Sequence, residues 1–280
     1  MTLSNITGDI RETIENGGSS PSAKDLDIFL EEVRNAVISL FDRRDSRNTE
    51  ENNILRFSSL GKKNRQLWYK AHTYSDASYN SLPYDTALKF TYGNILESLL
   101  LLLVKTAGYD VSDSQKEYEL DGVRGHIDCK INGYVVDCKS ASGYSFSKFK
   151  KGNLMDDPFG YMHQLGAYIQ ADGMKNEGGF LVINKESGEI CYMPVHDLEL
   201  PNARERIKEV KDIISKETPP ERCYTPAKAR DGREYLKTGC IYCDFKDKCW
   251  EDSNQGIGLV YETGSDGKTR YYTNTMGDPF

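Results

Sequence analysis

The sequence predicts an α/β fold, and three observations carry that reading. Two segments alternate as strands around tight turns, one at Asn132-Gly133 and one at Ser187-Gly188. Several longer segments repeat apolar residues at three- and four-residue steps, as amphipathic helices do. The composition, 280 residues with 38% hydrophobic and 28% charged, is that of a globular chain. Such a chain can form one large domain with appendages or two small domains.

In order, residues 1–24 are polar, with Gly-Gly-Ser-Ser at 17–20, and are expected to be flexible or loosely attached. A helix follows over 23–43, where Leu26, Phe29, Leu30, Val33, Val37, Leu40 and Phe41 form an apolar stripe. Residues 45–53 read as a polar linker. Residues 57–69 interleave Lys62, Lys63 and Arg65 with Trp68 and Tyr69. That pattern suits single-stranded nucleic acid, and it equally suits an amphipathic helix packing Leu67 and Trp68. Residues 92–107 read as a buried helix closed by Gly108. Glu97 sits inside it, where a carboxylate either needs a partner or faces solvent near the helix start.

The stretch from Val123 to Ser140 is the centre of the chain. An Asn-Gly turn at 132–133 fixes the register of a two-residue hairpin, pairing Cys129 with Val136, Asp128 with Asp137 and His126 with Lys139. Ile127, Cys129, Ile131, Tyr134, Val136 and Cys138 then share a core face, while Asp128, Lys130, Asp137 and Lys139 share the other. Opposed like charges are destabilising, so this face calls for a bound cation or a protonated carboxyl.

Residues 144–153 form a basic, aromatic loop whose Lys148, Lys150 and Lys151 suit a phosphate backbone. A helix over 159–170 places Tyr161, Gln164 and Tyr168 on one face. Strands over 179–184 and 189–195 make a second hairpin, with Cys191 as a core residue, and a charged helix covers 204–216 before Pro219-Pro220. Cys240, Cys243 and Cys249 have the spacing C-x2-C-x5-C, which brings thiolates to one metal centre. Residues 258–275 read as a hairpin turning at 265–267.

A net charge of −7 does not favour nucleic-acid binding by bulk attraction, so any such role rests on local basic patches or on metal ions. Seven cysteines in a reducing compartment read as core residues or metal ligands. No apolar run seen in the sequence approaches a membrane span, and the start lacks a signal-peptide pattern, so a cytoplasmic protein without a membrane partner is expected.

The ordered set of Glu97, Gly125-x-Ile127-Asp128, Val135-Val136-Asp137-Cys138-Lys139, Tyr161-x2-Gln164-x3-Tyr168 and the cysteine motif resembles the RecB-like branch of the PD-(D/E)xK nuclease superfamily. It is similar to phage-encoded and CRISPR-associated exonucleases and to AddB-type nuclease domains, over roughly residues 55–250. The resemblance implies a restriction-endonuclease-like core, a mixed central sheet flanked by helices, with a C-terminal four-cysteine module. It implies Mg2+ or Mn2+ held by Glu97, Asp128 and Asp137, with Lys139 orienting the attacking water and stabilising phosphate charge, and with Gln164 and Tyr168 steadying the site. The chain departs from its relatives in offering Glu97 where many have a helix histidine, and Lys63-Asn64-Arg65 where a fourth cysteine stands upstream in others. Cys223 is then the remaining candidate to join Cys240, Cys243 and Cys249 around a [4Fe-4S] cluster, or around Zn2+.

The implied function is a metal-dependent DNA exonuclease acting on single strands or duplex ends, in phage or prokaryotic DNA recombination, repair or degradation. In the phage case it would work in the host cytoplasm. Arg65, Lys148, Lys150 and Lys151 are the expected nucleic-acid contacts. A structure-selective endonuclease on the same fold and a non-catalytic DNA-binding subunit are the alternatives. The expected organisation is 1–53 as a flexible segment with a helix, 54–217 as the nuclease core, 218–255 as the cysteine module and 256–280 as a hairpin tail.

Overall fold

The computed structural model describes residues 3–17, 19–41, 55–72, 84–154, 159–173, 177–265 and 267–276. The expected linker at 45–53, Gly18 and Asp266 lie outside these. The elements run α1 (Ile6–Asn16), α2 (Ala23–Phe41), α3 (Asn64–His72), α4 (Tyr84–Thr106), β1 (Val111–Ser112), β2 (Glu117–Leu120), β3 (Val123–His126), β4 (Cys129–Ile131), β5 (Tyr134–Ala141), α5 (Gly143–Lys150) and α6 (Tyr161–Ala171). They continue with β6 (Gly178–Asn184), β7 (Ile190–Pro194), α7 (Ala203–Ile214), β8 (Ala227–Lys228), β9 (Glu234–Tyr235), α8 (Thr238–Ile241), α9 (Lys246–Cys249), α10 (Ser253–Gly256), β10 (Val260–Thr263) and β11 (Thr269–Asn274).

The chain divides into two units, residues 1–61 with 81–208, and residues 62–80 with 209–280. The first unit is built on a five-stranded mixed sheet in the order β1-β4-β5-β6-β7, flanked by helices. Asn132 (φ 49°) and Gly133 (φ 85°) make the turn that pairs β4 with β5. The observed register is the expected one for Cys129↔Val136, Lys130↔Val135 and Ile131↔Tyr134. On its other side β5 runs parallel to β6, with Asp137 beside Phe180.

A central strand covered on both faces is largely buried, and in β5 Val135, Val136, Asp137, Cys138 and Ala141 are buried. Val135 and Ala141 face a cluster containing Phe146, Phe149, Leu165, Tyr168 and Phe180. Val136 and Cys138 face another with Cys129, Leu100, Leu101, Val104 and Leu181. Cys129 and Cys138 are therefore core residues, as expected, and so is Cys191.

Several expectations change. Residues 3–16 are helical and attached: Leu3, Ile6 and Ile10 are buried against the α4 side of the sheet. Two isoleucines one helical turn apart anchor a short amphipathic helix within a polar stretch. The buried or half-buried face of α2 carries Asp25, Phe29, Glu32, Val33, Ala36 and Leu40, rotated from the predicted stripe, and leaves Leu26, Leu30, Val37 and Phe41 exposed. α4 starts at Tyr84, so Glu97 lies in mid-helix and not at a helix start. By length and composition α4 is the one helix among the described residues apolar enough to cross a membrane, and it packs on α1, α2 and β5. Residues 143–150 form α5 and not a loop, because Phe146 and Phe149 at i and i+3 are both buried.

The second unit holds a four-stranded antiparallel sheet, β10-β11-β9-β8, with α3, α8, α9 and α10. The expected tail hairpin is thus joined to the cysteine module in one sheet. Residues 64–72 belong to this unit and not to the core: Trp68 and Tyr69 pack with Ile213 and Phe245, and Trp68 Nε1 donates to the Lys216 carbonyl at 2.8 Å.

Candidate active site

The hairpin around Asn132-Gly133 ends sooner than predicted. β3 pairs with β2, setting His126 opposite Glu117, instead of continuing along β5. The chain turns at Asp128, whose carbonyl accepts from Gln115 N–H, while Ile127 N–H donates to the Lys116 carbonyl. The predicted ladder pairs Asp128–Asp137 and His126–Lys139 are therefore not formed. The two aspartates still come together, because Asp128 Oδ2 accepts the Cys138 N–H at 2.7 Å. Asp128 thus reaches the strand position next to Asp137 by its side chain.

Gly125 permits this corner to close. A Cβ there would stand 3.0 Å from Phe57 and from Tyr168 Cε1. The two rings meet edge to face at 5.2 Å beside it.

Lys139 is the cation between the two aspartates. Its Nζ lies 2.5 Å from Asp137 Oδ2 and 3.9 Å from Asp128 Oδ2. Its other neighbour is the Tyr161 ring, 5.5 Å from Nζ to centroid. Burial works against the ammonium, but Asp137 and Asp128 outweigh it and hold its pKa above the ordinary lysine range. The contact with Asp137 is a close ion pair. Asp137 is 2% exposed, and neither of its carboxylate oxygens receives a directed hydrogen bond. A buried carboxylate in that condition is costly.

The carboxyl groups respond together. Burial, with the charges of Asp137 and Glu97, pushes Asp128 well above the usual carboxylate range, against Lys139 and the Cys138 N–H. Burial also raises Asp137, against Lys139. Glu97 on α4 is pushed up to about 7, first by burial and then by Asp137 and Glu32, while Lys139 and Gln115 oppose the rise. Gln115 Nε2 donates to Glu97 Oε1 at 3.1 Å. Gln164 hydrogen-bonds Tyr168, whose hydroxyl is raised to about 12 by burial and also feels both aspartates. The structure therefore brings Glu97, Asp128, Asp137, Lys139, Gln164 and Tyr168 into one neighbourhood.

Glu32 is the residue that sequence reasoning missed. Asp25, near the start of α2, pairs with Lys105, near the end of α4, at 3.3 Å, so the two helices run antiparallel. Two turns on along the packed face of α2 stands Glu32, and about two turns back along α4 stands Glu97. The only sequence signal was the seven-residue step from Asp25 to Glu32, hidden by the more apolar stripe beside it.

The expected nucleic-acid residues are placed differently from one another. Lys148 lies over the Tyr144 ring at 5.1 Å, Lys150 pairs with Glu189 at 2.5 Å, and Lys151 is exposed at the end of α5. Arg65 lies in the second unit with its guanidinium turned inward. It donates to Cys249 Sγ (3.1 Å), the Pro220 carbonyl (2.5 Å) and the Tyr69 hydroxyl (3.1 Å).

In that unit the four expected cysteines share one neighbourhood. Burial pushes Cys240 up to about 11, reinforced by the charges of Cys223, Cys249 and Cys243. Burial also raises Cys223 and Cys243. Backbone N–H groups of Arg65 and Gln66 oppose the rise at Cys223. Among the described residues, no three His, Cys, Asp or Glu side chains converge closely enough to form a ready metal cage. The donor chemistry is nevertheless separated cleanly: hard oxygens around Lys139 in one unit, soft thiols around Arg65 in the other.

No family model and no curated protein matches the chain. Among solved structures it is similar to the crystal structure of SSO0001, at 16% identity and a TM-score of 0.45, over 76% of this chain and 92% of that one. A likeness of that degree carries no argument about activity.

Proposed function

We propose that this chain is a metal-dependent DNA exonuclease of the PD-(D/E)xK type, hydrolysing phosphodiester bonds at DNA ends. The observation that carries the reading is Asp137: a buried carboxylate without directed hydrogen bonds, beside a second carboxylate and a lysine two residues along its strand. Oxygen donors from Glu97, Asp128 and Asp137 suit a hard divalent cation such as Mg2+ or Mn2+. Such an ion, when bound, supplies Lewis-acid activation of water and neutralisation of phosphate charge.

The chain's own residues have separate tasks in this reading. The Cys138 N–H fixes Asp128, and the strand fixes Asp137. Lys139, held charged by the aspartates, faces a phosphate as a fixed cation and stabilises the charge that builds on its oxygens. Gln164 and Tyr168 brace the corner at Gly125. The same proposal assigns Cys223, Cys240, Cys243 and Cys249 to a structural metal centre, a [4Fe-4S] cluster or Zn2+, apart from the hydrolytic chemistry.

The test uses linear DNA labelled at either end beside a covalently closed circle, with and without Mg2+. Shortening from an end that needs Mg2+ and is lost in both Asp137→Ala and Lys139→Ala is the expected result. Retained cleavage in both variants would remove the assignment, and cutting of the closed circle would replace exonuclease by endonuclease.

A further inference from the structure

We propose that Arg65 and the first turn of α3 are the cationic support of a metal–thiolate centre formed by Cys223, Cys240, Cys243 and Cys249, and that Arg65 is a positioning residue for that centre rather than a DNA contact. This rests on the thiol centre assigned above and not on the nuclease chemistry.

The charge balance comes first. Four thiolates around a Zn2+ ion, or around an oxidised [4Fe-4S] cluster of the same charge, leave a net charge of about −2. In a partly buried site that charge needs cations and N–H donors. Arg65 Nε meets Cys249 Sγ at 3.1 Å. Its other donors are fixed by the Pro220 carbonyl and the Tyr69 hydroxyl, so the fork is held in one orientation.

The helix supplies the second part. Arg65 and Gln66 are the second and third residues of α3, and their N–H groups have no acceptor within the helix. They lie toward Cys223 and favour the charged form of its thiol. The positive end of α3 therefore faces one sulfur while the side chain on the same turn faces another. Cys223 stands against this same turn. Lys63, the residue just before this turn, lies 5.8 Å from the Tyr224 ring centroid.

A second arginine holds the same cysteine from behind. Arg222 donates to the Cys249 carbonyl at 3.2 and 3.1 Å and stacks on Trp250 at 4.0 Å. Cys249 is thus fixed through its sulfur by one guanidinium and through its carbonyl by another. A guanidinium committed in this way is poorly placed to follow a phosphate backbone.

The experiment titrates Co2+ into the reduced, metal-stripped full chain against a competing chelator, reading the thiolate-to-cobalt charge-transfer band. Wild type should show the band and Cys240→Ser should lose it, which establishes the centre independently of cleavage. Arg65→Gln should bind Co2+ about 10–100-fold more weakly, the usual cost of removing a group that orients metal ligands. Arg65→Lys should fall between, keeping charge but not the fork. The exposed Arg230→Gln should match wild type.

Wild-type Co2+ affinity in Arg65→Gln would overturn the proposal, as would a wild type without the band. So would weaker binding of a single-stranded oligonucleotide by Arg65→Gln with Co2+ affinity unchanged. If Arg65→Gln does not fold, Arg65→Lys decides on the same readings.

Discussion

Replacing Glu97 by Gln should stabilise the protein above neutral pH in magnesium-free buffer and make no difference near pH 4.5. The Glu97 carboxyl is raised from 4.5 to about 7 in the folded chain. A folded state that binds its proton more tightly than the unfolded chain gains stability below the unfolded value. It loses that gain as pH rises from about 4.5 through about 7. At about 1.4 kcal/mol per pH unit the full loss is on the order of 3 kcal/mol, which partial exposure of the side chain reduces to about 2 kcal/mol. Glutamine removes the titration while its Oε1 still accepts from Gln115. Chemical denaturation of both proteins at half-unit steps from pH 4 to pH 8.5 measures the difference. Curves that coincide at low pH and separate by about 2 kcal/mol at pH 8 are expected. A difference that stays constant across the window would refute the argument that Glu97 is buried among like charges. Restoring Mg2+ should reverse the order, since glutamine is the poorer ligand.

Glu32→Gln should shift the Glu97 titration toward lower pH and stabilise the magnesium-free protein at pH 8 by about 0.5–1 kcal/mol in the same denaturation series, because it removes one like charge while leaving the packed face of α2 in place. Gly125→Ala should destabilise by about 1–3 kcal/mol, since the added methyl forces Phe57 or Tyr168 aside. Urea denaturation reads the loss, and tyrosine absorbance at alkaline pH should show Tyr168 titrating lower as water reaches it.

The parts of the fold that local chemistry determines were legible. The Asn132-Gly133 turn set the β4–β5 register, and the strands over 178–184 and 190–194, the helices α6 and α7 and the last hairpin lie close to where periodicity placed them. What failed depended on distant partners. Nothing near Asp128 signals that β3 leaves β5 to pair with β2, because that choice is made by backbone groups of residues 115–120. The apolar stripe of α2 was real as a pattern, but the packed face is rotated from it and carries Asp25, which meets Lys105 across on α4. Arg65 looked like a phosphate contact because its sulfur and carbonyl acceptors lie more than 150 residues away. In each case short-range propensity gave the element and long-range packing gave its direction.

The candidate site survives the loss of the predicted ladder for a physical reason. Opposed aspartates in a hairpin would have been held together by register alone. In the observed arrangement Asp128 is bound by the Cys138 N–H, and Asp137 sits one residue away on the buried central strand. Three carboxyl groups and one ammonium then share a neighbourhood with little solvent. Full ionisation of Glu97, Asp128 and Asp137 against Lys139 would leave about two uncompensated negative charges, which such a site does not hold without cost. Protons held by these raised carboxyl groups meet part of the deficit near neutral pH, and in the proposed function a divalent cation would meet it. In the proposed function protons and a divalent cation would therefore compete for these carboxylates, and the burial that weakens the metal-free protein at high pH is what the doubly charged ion would offset.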